Sequence, residues 1–137
     1  MKRVFLVEDN LAFAAMIRKT LTETEDVQVE AVHDGRAAIE RLRKAAAEGE
    51  GSIADLVLLD LELPYASGFD VLSAIRAMDS LRGLPVVILT HRDDEEDIQR
   101  AYALGANNYV VKTKNLSEAV RRIQDYWLAF SRIPGNS

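Results

Sequence analysis

Leu56-Val57-Leu58-Leu59-Asp60-Leu61-Glu62-Leu63-Pro64 is the stretch on which the reading of this chain turns. Val57 to Leu59 form a short unbroken apolar run, as expected of a strand covered on both faces in a parallel sheet. Asp60 arrives as that run ends, and Pro64, with no amide hydrogen to give to a ladder, calls for a turn. A carboxylate is thereby set at the carboxyl end of a central strand, where open α/β sheets build their ligand crevices. Aspartate also starts turns without doing any chemistry. Asp60 therefore has to be weighed together with the groups at the other strand ends.

Upstream, Val4 to Val7 read as a buried strand closed by Glu8-Asp9, and Asn10 is a good N-cap for a helix carrying Leu11, Ala14, Ile17 and Leu21. Val27 to Val32 alternate in polarity, which fits a half-exposed strand near an edge. Asp34-Gly35 turns the chain into a helix with Ala38, Ile39, Leu42 and Ala45, followed by an acidic loop from Glu48 to Ser52. Downstream of Pro64, a helix carries Val71, Leu72, Ile75 and Met78. Pro85 to Thr90 is a continuous apolar strand that ends in a hydroxyl. The polar run from His91 to Asp97 leads into a helix with Ile98, Ala101 and Tyr102, closed by Gly105. Tyr109 to Val111 is a fifth short strand ending in Lys112, and a last helix runs from near Asn115 or Ser117 to about Ser131. Five strands alternating with five helices call for one parallel sheet covered on both faces.

The 137 residues are enough for one domain with a real core, and 48% hydrophobic with 28% charged residues fits a globular chain. A net charge of −5 argues against a nucleic-acid surface. The absence of cysteine excludes disulfides, thiolate nucleophiles and cysteine-held metals, and fits a reducing cytoplasm. The N-terminus meets acid at Glu8 after only four apolar residues, too few for a signal peptide or a membrane span. A soluble cytoplasmic protein is expected, one domain across residues 1–137.

Four of the five expected strands end in chemically capable groups: Glu8-Asp9, Asp60, Thr90 and Lys112. In a doubly wound sheet these ends share one rim. Three carboxylates crowded there repel one another unless a cation sits among them. The oxygen-only inventory suits a hard divalent ion such as Mg²⁺. Lys112 adds a positive point charge and Thr90 a hydroxyl, a set able to hold the oxygens of a phosphoryl group in flight. Asp60 can act as the nucleophile that accepts it.

On these residues the chain resembles the receiver domain of two-component response regulators. The matching pieces are Val7-Glu8-Asp9-Asn10, Leu58-Leu59-Asp60-Leu61 with Leu63-Pro64 and Gly68, Val87-Ile88-Leu89-Thr90, and Gly105-Ala106 leading to Tyr109-Val110-Val111-Lys112. The resemblance implies a flavodoxin-like fold with strand order 2-1-3-4-5. By it Asp60 is the phospho-acceptor, and Mg²⁺ is held by Asp9, Asp60 and the backbone carbonyl of Glu62, with Glu8 reaching it through water. Thr90 and Tyr109 become a coupled switch pair, Lys112 the phosphate-binding lysine, and the phosphoryl donor a phosphohistidine on a sensor kinase. Such a protein catalyses only its own phosphorylation and dephosphorylation.

Thr113 stands where the family usually has proline, and His91 where it usually has a small residue. No output domain is expected. Lys112-Thr113-Lys114-Asn115-Leu116, with an aromatic helix ending in Ile133-Pro134, is similar to the stand-alone regulators paired with bacterial phytochromes. The last helix carries an apolar stripe, Leu116, Val120, Ile123, Trp127 and Phe130, widened by Ala119, Tyr126 and Ile133. Trp127 and Phe130 can simply cap the core, but the apolar excess near the helix end points to a homodimer through Tyr126, Trp127 and Phe130. Around the phosphate's open side, bulky His91 is expected to narrow the mouth, and Glu62 and Arg92 to pair across it as a gate. Two other classes compete. A haloacid-dehalogenase-type phosphatase needs a second aspartate where Glu62 stands. A phosphorylation-independent scaffold or dimerisation module would have no use for intact Glu8, Asp9, Asp60, Thr90 and Lys112.

Overall fold

The computed structural model describes residues 2–23, 26–49, 53–113 and 115–125. Each apolar run becomes a strand: β1 (Lys2–Val7), β2 (Val27–Val32), β3 (Leu56–Leu59), β4 (Val86–Thr90) and β5 (Asn108–Val111). The helices between them are α1 (Leu11–Thr22), α2 (Gly35–Ala47), α3 (Gly68–Ala77), α4 (Glu95–Ala103) and α5 (Leu116–Ile123). All pairings are parallel, in the order β2-β1-β3-β4-β5, which puts β3 at the centre and β2 at an edge as its alternation requires.

The period of two along each strand divides the core into two layers. Val4 and Leu6 of β1, Leu56 and Leu58 of β3 and Val87 and Leu89 of β4 face Ala14, Ile17 and Leu21 of α1 and Leu116, Val120 and Ile123 of α5. Phe5, Val7, Val57, Leu59, Val86 and Ile88 face the other way, onto Ala38 and Leu42 of α2, Leu72 and Ile75 of α3 and Ala101 of α4. The β3 strand is wholly buried, the reason it reads as an unbroken apolar run.

The helix ends follow the local chemistry. Asn10, Asp34 and Ser67 each accept from the third residue beyond, and Ser67 and Asp70 complete a reciprocal capping box. Past α4, Gly105 takes φ +105°, and the amides of Gly105 and Ala106 return to the carbonyls of Tyr102 and Ala101. Two residues of the expected apolar stripes do not reach the core: Leu11, the first residue of α1, is 66% exposed and Tyr102 is 45% exposed. Tyr126, Trp127 and Phe130 lie outside the described residues. No described helix is long and apolar enough to cross a membrane.

Candidate phosphoryl-acceptor site

Parallel register brings the ends of β1, β3, β4 and β5 to one rim. Val7 stands beside Leu59, and Thr90 beside Val111, so the residues that follow these strands meet. The Lys112 ammonium lies 2.5 Å from Glu8 Oε1 and 2.9 Å from Asp60 Oδ2, all three side chains being almost completely buried. The second oxygen of each acid is also held: the Asn10 amide donates to Glu8 Oε2 at 3.1 Å and the Glu62 amide to Asp60 Oδ1 at 3.1 Å. Asp60 is thus oriented at both oxygens, with its backbone amide tied to Val7 across the sheet.

Burial pushes the Glu8 carboxyl above its usual range, further than the Lys112 hydrogen bond pulls it down, and the charge of Asp60 adds to the rise. Burial alone would pull the Lys112 ammonium down. The hydrogen bond to Glu8 and the charge of Asp60 outweigh it, so Lys112 is held above the ordinary lysine value.

Glu8, Asp9 and Asp60 present carboxylate oxygens that all lie within 4.8 Å of one another, an acidic cluster that fits a hard cation. Two further features support the fit. Asp9 is exposed and receives no hydrogen bond from the described residues. In the loop after Asp60, Gly68 and Gly35 donate to the carbonyls of Leu61 and Pro64, whereas no described residue donates to that of Glu62. Gly68 is required here, because a Cβ at that position would lie 2.2 Å from the Asp60 carbonyl oxygen.

A cleft of about 340 Å³ opens over these groups, lined by Glu8, Asp9, Asn10, Phe13, Asp60, Glu62, His91 and Lys112. His91 is exposed and lines this cleft. Thr90 is fully buried beside the cleft and does not line it. Its hydroxyl faces the amide of Arg92 at 3.5 Å, while the Tyr109 hydroxyl donates to the Arg92 carbonyl at 2.8 Å. Burial, with the nearby charge of Asp97, pushes the Tyr109 phenol up to about 12.

Sequence reasoning missed two participants. Arg92 Nη1 stands 3.9 Å from Glu62, the pair expected across the mouth, but its Nε donates to Asp97 at 2.7 Å. Asp97, read only as part of a polar run, is 8% exposed, and its hydrogen bond and charge hold the Arg92 guanidinium above its ordinary value. Phe13 is the second. The Asn10 cap fixes its amide at 3.0 Å, and its ring lies 4.7 Å from the Lys112 ammonium and 5.3 Å from the His91 ring. It stands in the first turn of α1, directly behind the acidic pair, and no sequence pattern marks it as a cleft residue.

A parallel 2-1-3-4-5 sheet with an acidic pair, a central aspartate and a lysine at one rim defines a receiver. The family model for the response regulator receiver domain matches residues 4–124, and the chain belongs to that family. It is 38% identical to the probable methanogenesis regulatory protein FilR2 of Methanothrix harundinacea over 136 residues, 96% of this chain and 87% of that one. It is 34% identical to the response regulator Rcp1 of Synechocystis over 137 residues, 97% of this chain and 93% of that one. Among solved structures it is similar to RcpA, a phosphorylated cyanobacterial phytochrome response regulator. That likeness has a TM-score of 0.85 at 38% identity and covers 93% of this chain and 94% of that one. An Mn²⁺-bound form of Rcp1 matches equally well, with a TM-score of 0.85 at 33% identity over 95% of this chain and 96% of that one.

Proposed function

We propose that this chain is a response regulator receiver whose Asp60 accepts a phosphoryl group from a phosphohistidine on a sensor histidine kinase. The observation that carries the reading is the Lys112 ammonium, 2.9 Å from Asp60 Oδ2 and 2.5 Å from Glu8 Oε1 beside a third carboxylate. The likeness to RcpA supports a kinase of the phytochrome type.

Held at both oxygens, Asp60 is positioned in the cleft as the nucleophile. As the P–N bond of the donor breaks, its electron pair leaves with the imidazole nitrogen and an Asp60 oxygen forms the new O–P bond. Asp9, Asp60 and the Glu62 carbonyl would hold Mg²⁺, with Glu8 in support, and the ion would supply positive charge against the crowded oxygens. Lys112 moves from the Asp60 carboxylate to a phosphoryl oxygen. The Thr90 hydroxyl turns to the same group, drawing the segment through Arg92 on which Tyr109 rests. Phosphorylation is thereby coupled to the α4–β5 face. His91 and Arg92 control access of small donors and of water, and Tyr126, Trp127 and Phe130 form a dimer contact.

Incubation with a panel of phosphorylated histidine kinases tests the reading. Rapid transfer from a phytochrome kinase to the wild-type chain, and none to Asp60→Asn, is expected. Transfer to Asp60→Asn at the wild-type level would overturn it.

A further inference from the structure

The proposed acceptor chemistry leaves Phe13 without a role, although the fold holds it firmly at the cleft. Its amide is pinned by the Asn10 cap at 3.0 Å, and its half-buried ring stands 4.7 Å from the Lys112 ammonium. His91, just past the end of β4, meets the ring at a tilt, 5.3 Å between centroids and 56° between planes. Two elements that are distant in sequence thus supply a tilted aromatic pair to one side of the cleft. The other residues lining the cleft carry charges or an amide.

We propose that Phe13 and His91 form an aromatic wall that recognises the imidazole ring of the phosphodonor. On this view the cleft favours a ring-bearing P–N donor over a ringless one. The inference rests on the reading of Asp60 as acceptor. In-line displacement places the leaving nitrogen opposite Asp60 across phosphorus, and Asp60 lies deep in the cleft. The departing ring therefore sits towards the mouth, where the aromatic pair stands.

The chemistry of the donor matches the wall. A phosphoimidazole protonated on its remote nitrogen carries a cationic ring. When the P–N bond breaks, the bonding pair passes to the nitrogen, the ring leaves as neutral imidazole, and the Asp60 oxygen–phosphorus bond forms. The electron-rich face of a phenyl ring attracts a ring that bears positive charge. The contact of Phe13 with Lys112 shows that this ring already serves a cation.

If instead the pair only packed Lys112 in place, its loss would alter every phosphodonor alike, since Lys112 meets the phosphoryl group whatever carries it. The ratio between two donors separates these cases. Monophosphoimidazole and phosphoramidate both transfer from nitrogen and differ in the ring. Labelling rates would be followed by intact mass with Mg²⁺ for the wild-type chain, Phe13→Leu, Phe13→Tyr and His91→Ala. Phe13→Leu is expected to lower the phosphoimidazole-to-phosphoramidate ratio by about three- to tenfold, the worth of one aromatic pair. Phe13→Tyr, which keeps the ring, should retain the ratio, and His91→Ala should lower it. An unchanged ratio in Phe13→Leu, including a loss of labelling by both donors alike, would overturn the wall and leave Phe13 as packing for Lys112. Failure of the wild-type chain to be labelled by either donor would overturn the acceptor reading itself, and the wall with it.

Discussion

Replacing Lys112 by methionine keeps a buried aliphatic stem and removes the charge that stands between Glu8 and Asp60. At 2.9 Å and an effective dielectric of about 20, the attraction to Asp60 alone is roughly 6 kcal/mol. Most of it is offset by the cost of taking the ions out of water. Removing one partner leaves that cost uncompensated, and such losses run to about 3–5 kcal/mol. The deficit depends on pH in a definite direction. Burial raises Glu8 in the folded protein. A raised carboxyl favours folding below its unfolded pKa, and that benefit is lost as pH rises through the folded value. Without Lys112 the carboxyl rises further, so the deficit is small in acid and grows towards neutrality. Mg²⁺ bound among the three carboxylates would replace part of the missing charge, so adding it should shrink the deficit; at a hundredfold excess over its Kd it would add about 2.7 kcal/mol to each protein that binds it. Urea unfolding of both proteins, near pH 5 and near pH 8, with and without Mg²⁺, measures all of this. A deficit under about 1 kcal/mol, the range of an exposed ion pair, would refute the reasoning. So would a deficit that ignores both pH and Mg²⁺.

Tyr109→Phe should remove a phenolate absorbance step centred near pH 12, and retention of that step would contradict the burial of Tyr109 beside Asp97. In the wild-type chain the raised folded values of Tyr109 and Lys112 contribute stability that is complete below about pH 10 and lost as pH rises towards 12; alkaline unfolding curves check it. Asp97→Asn frees Arg92 from its 2.7 Å partner and should change the lifetime of the aspartyl-phosphate, whereas in an Arg92→Ala background it should have no further effect; additive changes would separate the two residues. Gly68→Ala forces a Cβ against the Asp60 carbonyl and should destabilise by about 1–3 kcal/mol while slowing phosphorylation, read by urea unfolding and acetyl phosphate labelling. Trp127→Glu should shift the chain towards monomer in sedimentation, and an unchanged mass would remove the dimer contact.

The alternation of five apolar runs with five amphipathic segments made the parallel sheet readable, because a buried parallel strand has few other sequences available to it, while the strand order came with the resemblance to the receiver family. Glu8, Asp9, Asp60 and Lys112 were legible for the same reason: each follows directly on such a run. What escaped depends on angles between elements. Phe13 reaches the cleft because α1 sets its first turn over the rim, and no periodicity states that. Asp97 finds Arg92 around the start of α4, five residues on, where a polar run conceals one buried carboxylate. Arg76 carries no sequence signal of its role. In the fold its guanidinium donates to the carbonyls of Arg82, Leu84 and Gly105 and to the Asn107 side chain, tying α3 to the end of α4. Those acceptors are neutral and mostly backbone, so residue types could not announce them. Tyr65, in the loop between Asp60 and α3, takes φ +71°, a left-handed conformation more common for glycine.

Intact mass after incubation with acetyl phosphate tests most directly whether Asp60 is the acceptor. A single phosphoryl adduct is expected on the wild-type chain with Mg²⁺, none when the metal is chelated, and none on Asp60→Asn. An adduct of equal yield on Asp60→Asn, or one indifferent to Mg²⁺, would contradict it.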